Sequence, residues 1–175
     1  MIFLKFTDVK QFMNKLLLET AFDQFLLSEA QISMASTIII DGHLNKDFYS
    51  EDELNELREM SKENNRIFSD KMQRFEQLKP LCLSVIKGKK TPSSFKFTFC
   101  LSPENTEKFL MMSNTGLTTT DIGNLTLNIK YDGTSLSGTT AVSLNIFTTD
   151  KSIDSAWDLM IKKFFTANEI AFEEV

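Results

Sequence analysis

The sequence has few of the residues from which proteins build metal centres and disulfide frameworks. It contains one histidine, His43, and two cysteines, Cys82 and Cys100, which are not in CxxC or CxxH spacing. A zinc site or a disulfide-dependent secreted scaffold needs more of these residues. Both cysteines lie inside apolar runs, so we expect buried free thiols. We expect no metal and no cofactor.

The sequence also lacks the short motifs of common catalytic and nucleotide-binding sites. It has no GxSxG, HExxH, GxxxxGK[ST] or GxGxxG pattern. Asp41 and Asp132 could be considered as a pair of catalytic carboxylates. Each begins an Asp-Gly sequence typical of a turn, however, and this accounts for both residues without catalysis. His43 follows the first turn, where an exposed polar residue is expected. We therefore expect no catalytic residue, and an enzyme with an unrecognisable site stays open as an alternative.

Long hydrophobic runs and a basic charge excess are missing as well. No apolar run approaches the roughly 20 residues of a membrane span, and the N-terminus lacks the basic and apolar regions of a signal peptide. The net charge is −5 over 175 residues, so the chain has no global basic footprint for nucleic acid. Hydrophobic residues make up 42% of the chain, which is enough for an ordinary core. These features predict a single cytoplasmic domain that does not bind membranes.

The residues that are present predict the same order of elements twice. The first unit, residues 1–50, is expected to contain a strand at 2–6, a helix capped by Thr7 or Asp8, a β-segment at 25–40, a turn at Asp41-Gly42 and a return strand at 43–49. The second unit, residues 94–175, is expected to contain a strand at 95–99, a helix from Ser102-Pro103, a hairpin turning at Asp132-Gly133, a helix from about Ser152 and a short strand at 169–175. A duplication of this kind predicts that the helices from Thr7 and Ser102 lie side by side.

Residues 51–93 are predicted to form a helical insertion and a linker between the two units. Ser50 and Glu53 have the spacing of a capping box, which predicts a helix from Glu51. A second helix is expected over residues 67–78, with Pro80 ending it or beginning another. Residues 81–86 suit a helix or a strand, and we favour a short helix. The predicted fold class is therefore α+β, with duplicated strand–helix–hairpin units and a helical insertion.

The one uneven feature of the charge pattern is a stretch without acidic residues from Gln77 to Pro103. It contains five lysines: Lys79, Lys87, Lys89, Lys90 and Lys96. Lysines and the backbone amides of a loop can bind phosphate. Lys87, Lys89, Lys90 and Lys96 are therefore our candidate anion-binding patch, and a solvated linker is the competing interpretation.

Two resemblances follow from these residues. The string IKGKKTP at 86–92, the Asp41-Gly42 turn and the ending at 150–158 resemble a family of uncharacterised small bacterial proteins, which implies no assigned activity. The duplicated strand–helix–hairpin order resembles one domain of a DNA sliding clamp, in which the two short helices face DNA. A single such domain would need several copies to encircle DNA, so a homo-oligomer belongs to what this resemblance implies.

These observations favour a non-enzymatic cytoplasmic protein that binds a protein or nucleic-acid partner. The alternatives are an enzyme whose site leaves no motif and a structural or phage-derived element. In the core, the last helix places Ile153, Trp157, Met160 and Phe164 on one face, which predicts a buried tryptophan.

Overall fold

The computed structural model describes all 175 residues and consists of one antiparallel sheet and five helices. The strands are β1 (Phe3–Phe6), β2 (Leu26–Ser33), β3 (Thr37–Asp41), β4 (Ser94–Cys100), β5 (Ile122–Tyr131), β6 (Leu136–Leu144) and β7 (Phe172–Glu174). The helices are α1 (Val9–Leu17), α2 (Glu51–Glu63), α3 (Phe75–Ile86), α4 (Pro103–Ser113) and α5 (Ser152–Ala167). The strand order is β3-β2-β4-β5-β6-β1-β7, and the fold class is α+β as predicted. No helix is long and apolar enough to cross a bilayer.

The core lies between one face of the sheet and four of the helices. Successive residues of a strand point to opposite faces, so Phe95, Phe97 and Phe99 enter the core from β4. Helices α1, α3, α4 and α5 cover them, and Trp157 of α5 is fully buried, as predicted. Its indole Nε1–H donates to the carbonyl of Thr126 at 3.0 Å. The opposite face of the sheet, called the open face below, carries no helix-covered core of this size.

Both cysteines are buried and free, as predicted. Cys82 of α3 is part of the core, and Cys100 lies on the open face in a small cluster with Leu26 and Met72. Burial raises the pKa of the Cys82 thiol to about 11 and also raises the pKa of Cys100. Neither thiol is therefore disposed to act as a nucleophile at neutral pH.

The structure does not confirm the internal duplication or the likeness to a sliding clamp. β4 pairs with β5 of its own unit, whereas β1 pairs with β6 and β7 and not with β2. The strand pairing therefore lacks two-fold symmetry. Helices α1 and α4 share the core, but they reach different parts of α5: Phe12 lies 6.5 Å from Phe165, and Phe109 lies 5.9 Å from Trp157.

The predicted turn at Asp41-Gly42 and the return strand at 43–49 are wrong. β2 and β3 turn at residues 34–36, and Asp41 is the last residue of β3. Gly42 continues the ladder, because its N–H donates to the carbonyl of Ser28 at 2.9 Å. Residues 43–49 are too poor in apolar side chains for a strand and form one bridge, from His43 to Met72, and a short 3-10 turn.

The helical insertion is also different from the prediction. The capping box of Ser50 and Glu53 is present, but the second helix begins at Phe75 rather than at residue 67. Pro80 lies inside α3, so the prediction that it ends or begins a helix is wrong, and the burial of Phe75 and Cys82 on either side holds the helix across it. Residues 81–86 are helical as favoured. The hairpin at Asp132-Gly133 is confirmed.

Candidate functional site

The carboxylates and the histidine of the two Asp-Gly sequences do not form a common site. Asp41 ends the edge strand β3, whereas Asp132 follows β5, three strands away in the sheet. Hydrogen bonds from the backbone and the ring of His43 lower the pKa of Asp41, and those from the backbone of Ser135 and Thr134 lower the pKa of Asp132. The Asp132 carboxylate therefore stabilises its own turn, whereas the Asp41 carboxylate holds His43 at the end of β3. No group of three or more His, Cys, Asp or Glu residues is placed to hold a metal ion.

The four lysines of the candidate patch lie around one end of the sheet. Lys87 follows the last turn of α3, Lys89 and Lys90 lie in the loop to β4, and Lys96 lies on the open face of β4. All four are exposed. The fifth lysine of the acid-free stretch, Lys79, is instead paired with Asp23.

An apolar groove of about 440 Å³ lies at this end of the molecule, between α1 and α3. Its floor is formed by Phe95 and Tyr131, whose rings stack at 5.1 Å. The walls contain apolar residues of both helices: Val9, Met13, Leu17 and Leu18 on the α1 side, and Leu83 and Ile86 on α3. The groove has the size of an ordinary ligand or peptide pocket.

The groove exists because the apolar face of α1 is wider than the core requires. Phe12 and Leu16 point into the core, whereas Val9 and Met13, at i and i+4, stay partly exposed along the groove. The sequence indicated one apolar face for all of these residues. It could not show that α3 leaves part of that face uncovered, because the position of α3 depends on contacts distant in the sequence.

The rim of the groove is basic. Lys10 lines it directly, and Lys87, Lys89 and Lys90 lie in the sequence between two of its lining residues, Ile86 and Thr91. None of these lysines takes part in an ion pair. No acidic residue lines the groove. The neighbouring carboxylates are Asp8, which caps α1, and Asp132, which follows Tyr131, and the four lysines outnumber them. The field at the rim is therefore positive.

A second cavity, of about 300 Å³, lies at the opposite end of the sheet, between residues 67–72 and the start of α4. Beside it, Arg74 and Glu104 form a largely buried ion pair with 2.8 Å between Nη1 and Oε1. Burial alone would raise the pKa of Glu104, but the hydrogen bonds from Arg74 and from two backbone N–H groups outweigh it and lower this pKa. The two charges compensate each other, although Arg74 Nη1 has no hydrogen-bond partner, and we assign this ion pair a structural role.

Comparison with known proteins gives a family without a function. Residues 15–173 match the model of a family described as a family of unknown function (DUF5721). The expected resemblance to an uncharacterised family is confirmed. No curated protein and no solved structure matches the chain.

Proposed function

We propose that this chain, which belongs to the family of unknown function DUF5721, is a non-enzymatic binding protein. Its ligand is an acidic, amphipathic helical segment of a protein partner, and its binding site is the groove between α1 and α3. The observation that carries the proposal is the combination of an apolar floor with unpaired lysines: Lys10 lines the groove, and Lys87, Lys89 and Lys90 belong to the segment that joins its lining residues Ile86 and Thr91. We place the protein in the cytoplasm, where two free thiols are stable.

The floor of the groove favours a peptide over a nucleic acid. An amphipathic helix inserts side chains spaced i, i+3, i+4 and i+7 into such grooves. Met13, Leu83 and Phe95 offer apolar contact of this kind, whereas the phosphates of a nucleic acid would gain nothing from it. A bound helix would lie between α1 and α3 on the helix-covered side of the sheet.

The rim determines which amphipathic segment binds. Lys10, Lys87, Lys89 and Lys90 attract a segment with carboxylates on either side of its apolar stripe. Exposed ion pairs are worth only about 0.2–1 kcal/mol each, so the apolar contacts supply most of the affinity. The lysines supply selectivity and a faster association rate that falls with salt.

Selection from a random helical peptide library displayed on phage tests this proposal. The matched variants are Leu18→Glu, at the edge of the groove, and Leu159→Glu, on the outer side of α5; the two leucines are 64% and 52% exposed, so neither substitution disturbs the core. We expect enriched peptides that combine acidic residues with apolar residues at helical spacing. Their binding, measured by fluorescence anisotropy, should be lost with Leu18→Glu and kept with Leu159→Glu.

Three results would contradict the proposal. They are the absence of any enriched peptide, enrichment of basic peptides, and binding that survives Leu18→Glu. Two further measurements identify other occupants. Saturable binding of palmitate that Leu18→Glu abolishes, without any peptide binding, would replace the peptide by an anionic amphiphile. A dimer in sedimentation velocity that Leu18→Glu dissociates would make a second copy of the chain the occupant.

A further inference from the structure

The open face of the sheet carries a row of lysines that the groove does not use. Strand register places Lys96 of β4 opposite Lys130 of β5, Lys130 opposite Ser137 of β6, and Ser137 opposite Lys5 of β1. We call these four residues the lysine row. Neighbouring strands lie about 4.8 Å apart, so the row spans about 14 Å across the sheet.

The charges of the lysine row are not compensated within the molecule. Lys5, Lys96 and Lys130 are exposed, and none of them forms an ion pair. Glu173 of β7 lies opposite Lys5 in the register without bonding to it. Glu29 of β2 lies opposite Thr98, two residues along β4 from Lys96, and forms no ion pair with that lysine. Like charges directly opposite each other on a sheet are destabilising. The pair of Lys96 and Lys130 therefore costs stability and leaves a positive surface for an external anion.

A second row, called the polar row below, runs beside the first and carries no charge on these four strands, and Glu29 of β2 lies at its end opposite Thr98. The polar row consists of Thr98, Asn128, Thr139 and Phe3, which face one another across the same four strands. The Thr98 hydroxyl donates to Asn128 Oδ1 at 3.0 Å, which directs the amide N–H groups of Asn128 away from Thr98. Phe3 is 45% exposed. The two rows are two residues apart along each strand, or about 7 Å.

We infer that the open face binds single-stranded nucleic acid, with phosphates on the lysine row and bases on the polar row. The lysines of this face are exposed, so an extended strand can follow both rows, whereas a duplex would touch the face along one line. Phe3 is the aromatic residue of the polar row, so one base can stack on an aromatic side chain there. Binding then depends mainly on charge and discriminates little between sequences. This site lies on the opposite face of the sheet from the peptide groove.

Fluorescence anisotropy with labelled 20-nucleotide poly-dT, poly-dA and a 20-base-pair duplex tests the inference. At low salt we expect dissociation constants on the order of 10⁻⁵ M for the single strands and weaker binding of the duplex. Three phosphate contacts predict a salt slope of about −2, so raising salt from about 20 to 200 mM should weaken binding about a hundredfold. The Phe3→Ala variant should bind about tenfold more weakly, since it loses one stacked base.

The decisive variant replaces Lys5, Lys96 and Lys130 by Gln, and its matched control replaces Lys108, Lys151 and Lys163 by Gln. Both lose three positive charges. Only the first should lose most of its affinity and its salt slope. Relief of the repulsion between Lys96 and Lys130 should also leave the melting temperature of Lys130→Gln unchanged or higher.

Several outcomes would overturn the inference. They are the absence of binding at low salt, equal losses in the two triple variants, a preference for the duplex, and a lower melting temperature of Lys130→Gln, which would assign the row a structural role. The groove variant Leu18→Glu should bind nucleic acid normally. Failure of this inference is therefore distinguishable from failure of the proposed peptide binding.

Discussion

Gly42 lies where two backbones approach too closely for any side chain. Its N–H donates to the carbonyl of Ser28 at 2.9 Å, and its own carbonyl accepts from the N–H of Gln73 at 2.8 Å. A Cβ atom at this position would lie 1.9 Å from the carbonyl oxygen of Leu27. Glycine is therefore required by a contact between segments and not by a turn.

The Gly42→Ala variant should be less stable by about 1–3 kcal/mol, because the backbone has to move to admit the methyl group. Gly88→Ala is the control, since an added Cβ there meets nothing within 4 Å, and its effect should stay within about 0.5 kcal/mol. Urea denaturation followed by circular dichroism measures both. Equal stabilities of the two variants would contradict the close approach at Gly42.

Trp157 is the largest fully buried side chain of the protein. Its ring meets Phe109 edge-on at 5.9 Å, and its N–H is bonded to Thr126. Trp157→Ala should lower the free energy of unfolding by about 3–5 kcal/mol, the usual range for truncation of a large buried aromatic side chain. Leu159→Ala, two residues away on the outer side of α5, is the control. A similar small loss in both variants would mean that α5 packs loosely.

Single residues were predictable from the sequence where their role is local. The burial of Trp157 follows from the spacing of the apolar residues in its helix. The turn at Asp132 follows from the glycine after it. Gly42 has the same local signature as Gly133 but a different role, because the atom that excludes a side chain belongs to Leu27. No pattern near Gly42 contains that information.

Arg74 and Glu104 connect two elements that are distant in the sequence. Arg74 belongs to the segment before α3, and Glu104 lies in the first turn of α4. Nη2 of Arg74 donates to Glu104 Oε2 at 3.0 Å and to the carbonyl of Ile67 at 3.2 Å. Both side chains are 11% exposed. The pair therefore anchors residues 67–74 to the beginning of α4.

The stability that this pair contributes should depend on pH. The pKa of Glu104 is lowered in the folded state from its ordinary value of 4.5, so its contribution is complete above that value and is lost as the pH falls through the folded pKa. Glu104→Gln should cost about 2 kcal/mol at pH 7. The difference from the wild type should shrink below about pH 4.5, as measured by urea denaturation at several pH values.

Glu107→Gln is the control for this prediction, because Glu107 is exposed on the same helix and forms no ion pair. Its effect should be small at every pH. A cost of Glu104→Gln that is independent of pH would show that packing, and not charge, holds the two elements together.

Elements were predictable where their own residues determine them. The residues Ser102-Pro103, which are typical of a helix start, predicted α4. The alternating apolar residues on both sides of Asp132-Gly133 predicted the hairpin of β5 and β6. The apolar spacing of residues 67–78 also suits a helix, but the first part of this segment pairs with other backbones: the N–H of Leu27 donates to the carbonyl of Gln73 at 2.9 Å. Such non-local pairing overrides a local helical pattern.

At the scale of the whole molecule, charge is separated along the strands. Seven unpaired lysines gather at the end where β4 begins and β5 ends: Lys5, Lys10, Lys87, Lys89, Lys90, Lys96 and Lys130. The acidic helix α2 packs near the other end, beside residues 64–77. The acid-free stretch in the sequence indicated part of the basic end. It could not indicate Lys5 or Lys130, because strand pairing brings these two residues to the basic end from distant parts of the sequence.

This separation predicts that a protein with a net charge of −5 is retained on a cation-exchange resin at pH 7 and low salt. Lys87, Lys89 and Lys90 follow closely in the sequence and Lys96 lies opposite Lys130, and charges within about one Debye length, roughly 8 Å at physiological salt, act together. Replacing Lys87, Lys89 and Lys90 by Gln should move elution to lower salt. The control replaces Lys62, Lys108 and Lys151 by Gln, which removes the same charge elsewhere, and should elute close to the wild type. If the wild type flows through the resin, or if both variants elute together, the net charge governs the behaviour of the protein and the basic end does not act as a unit.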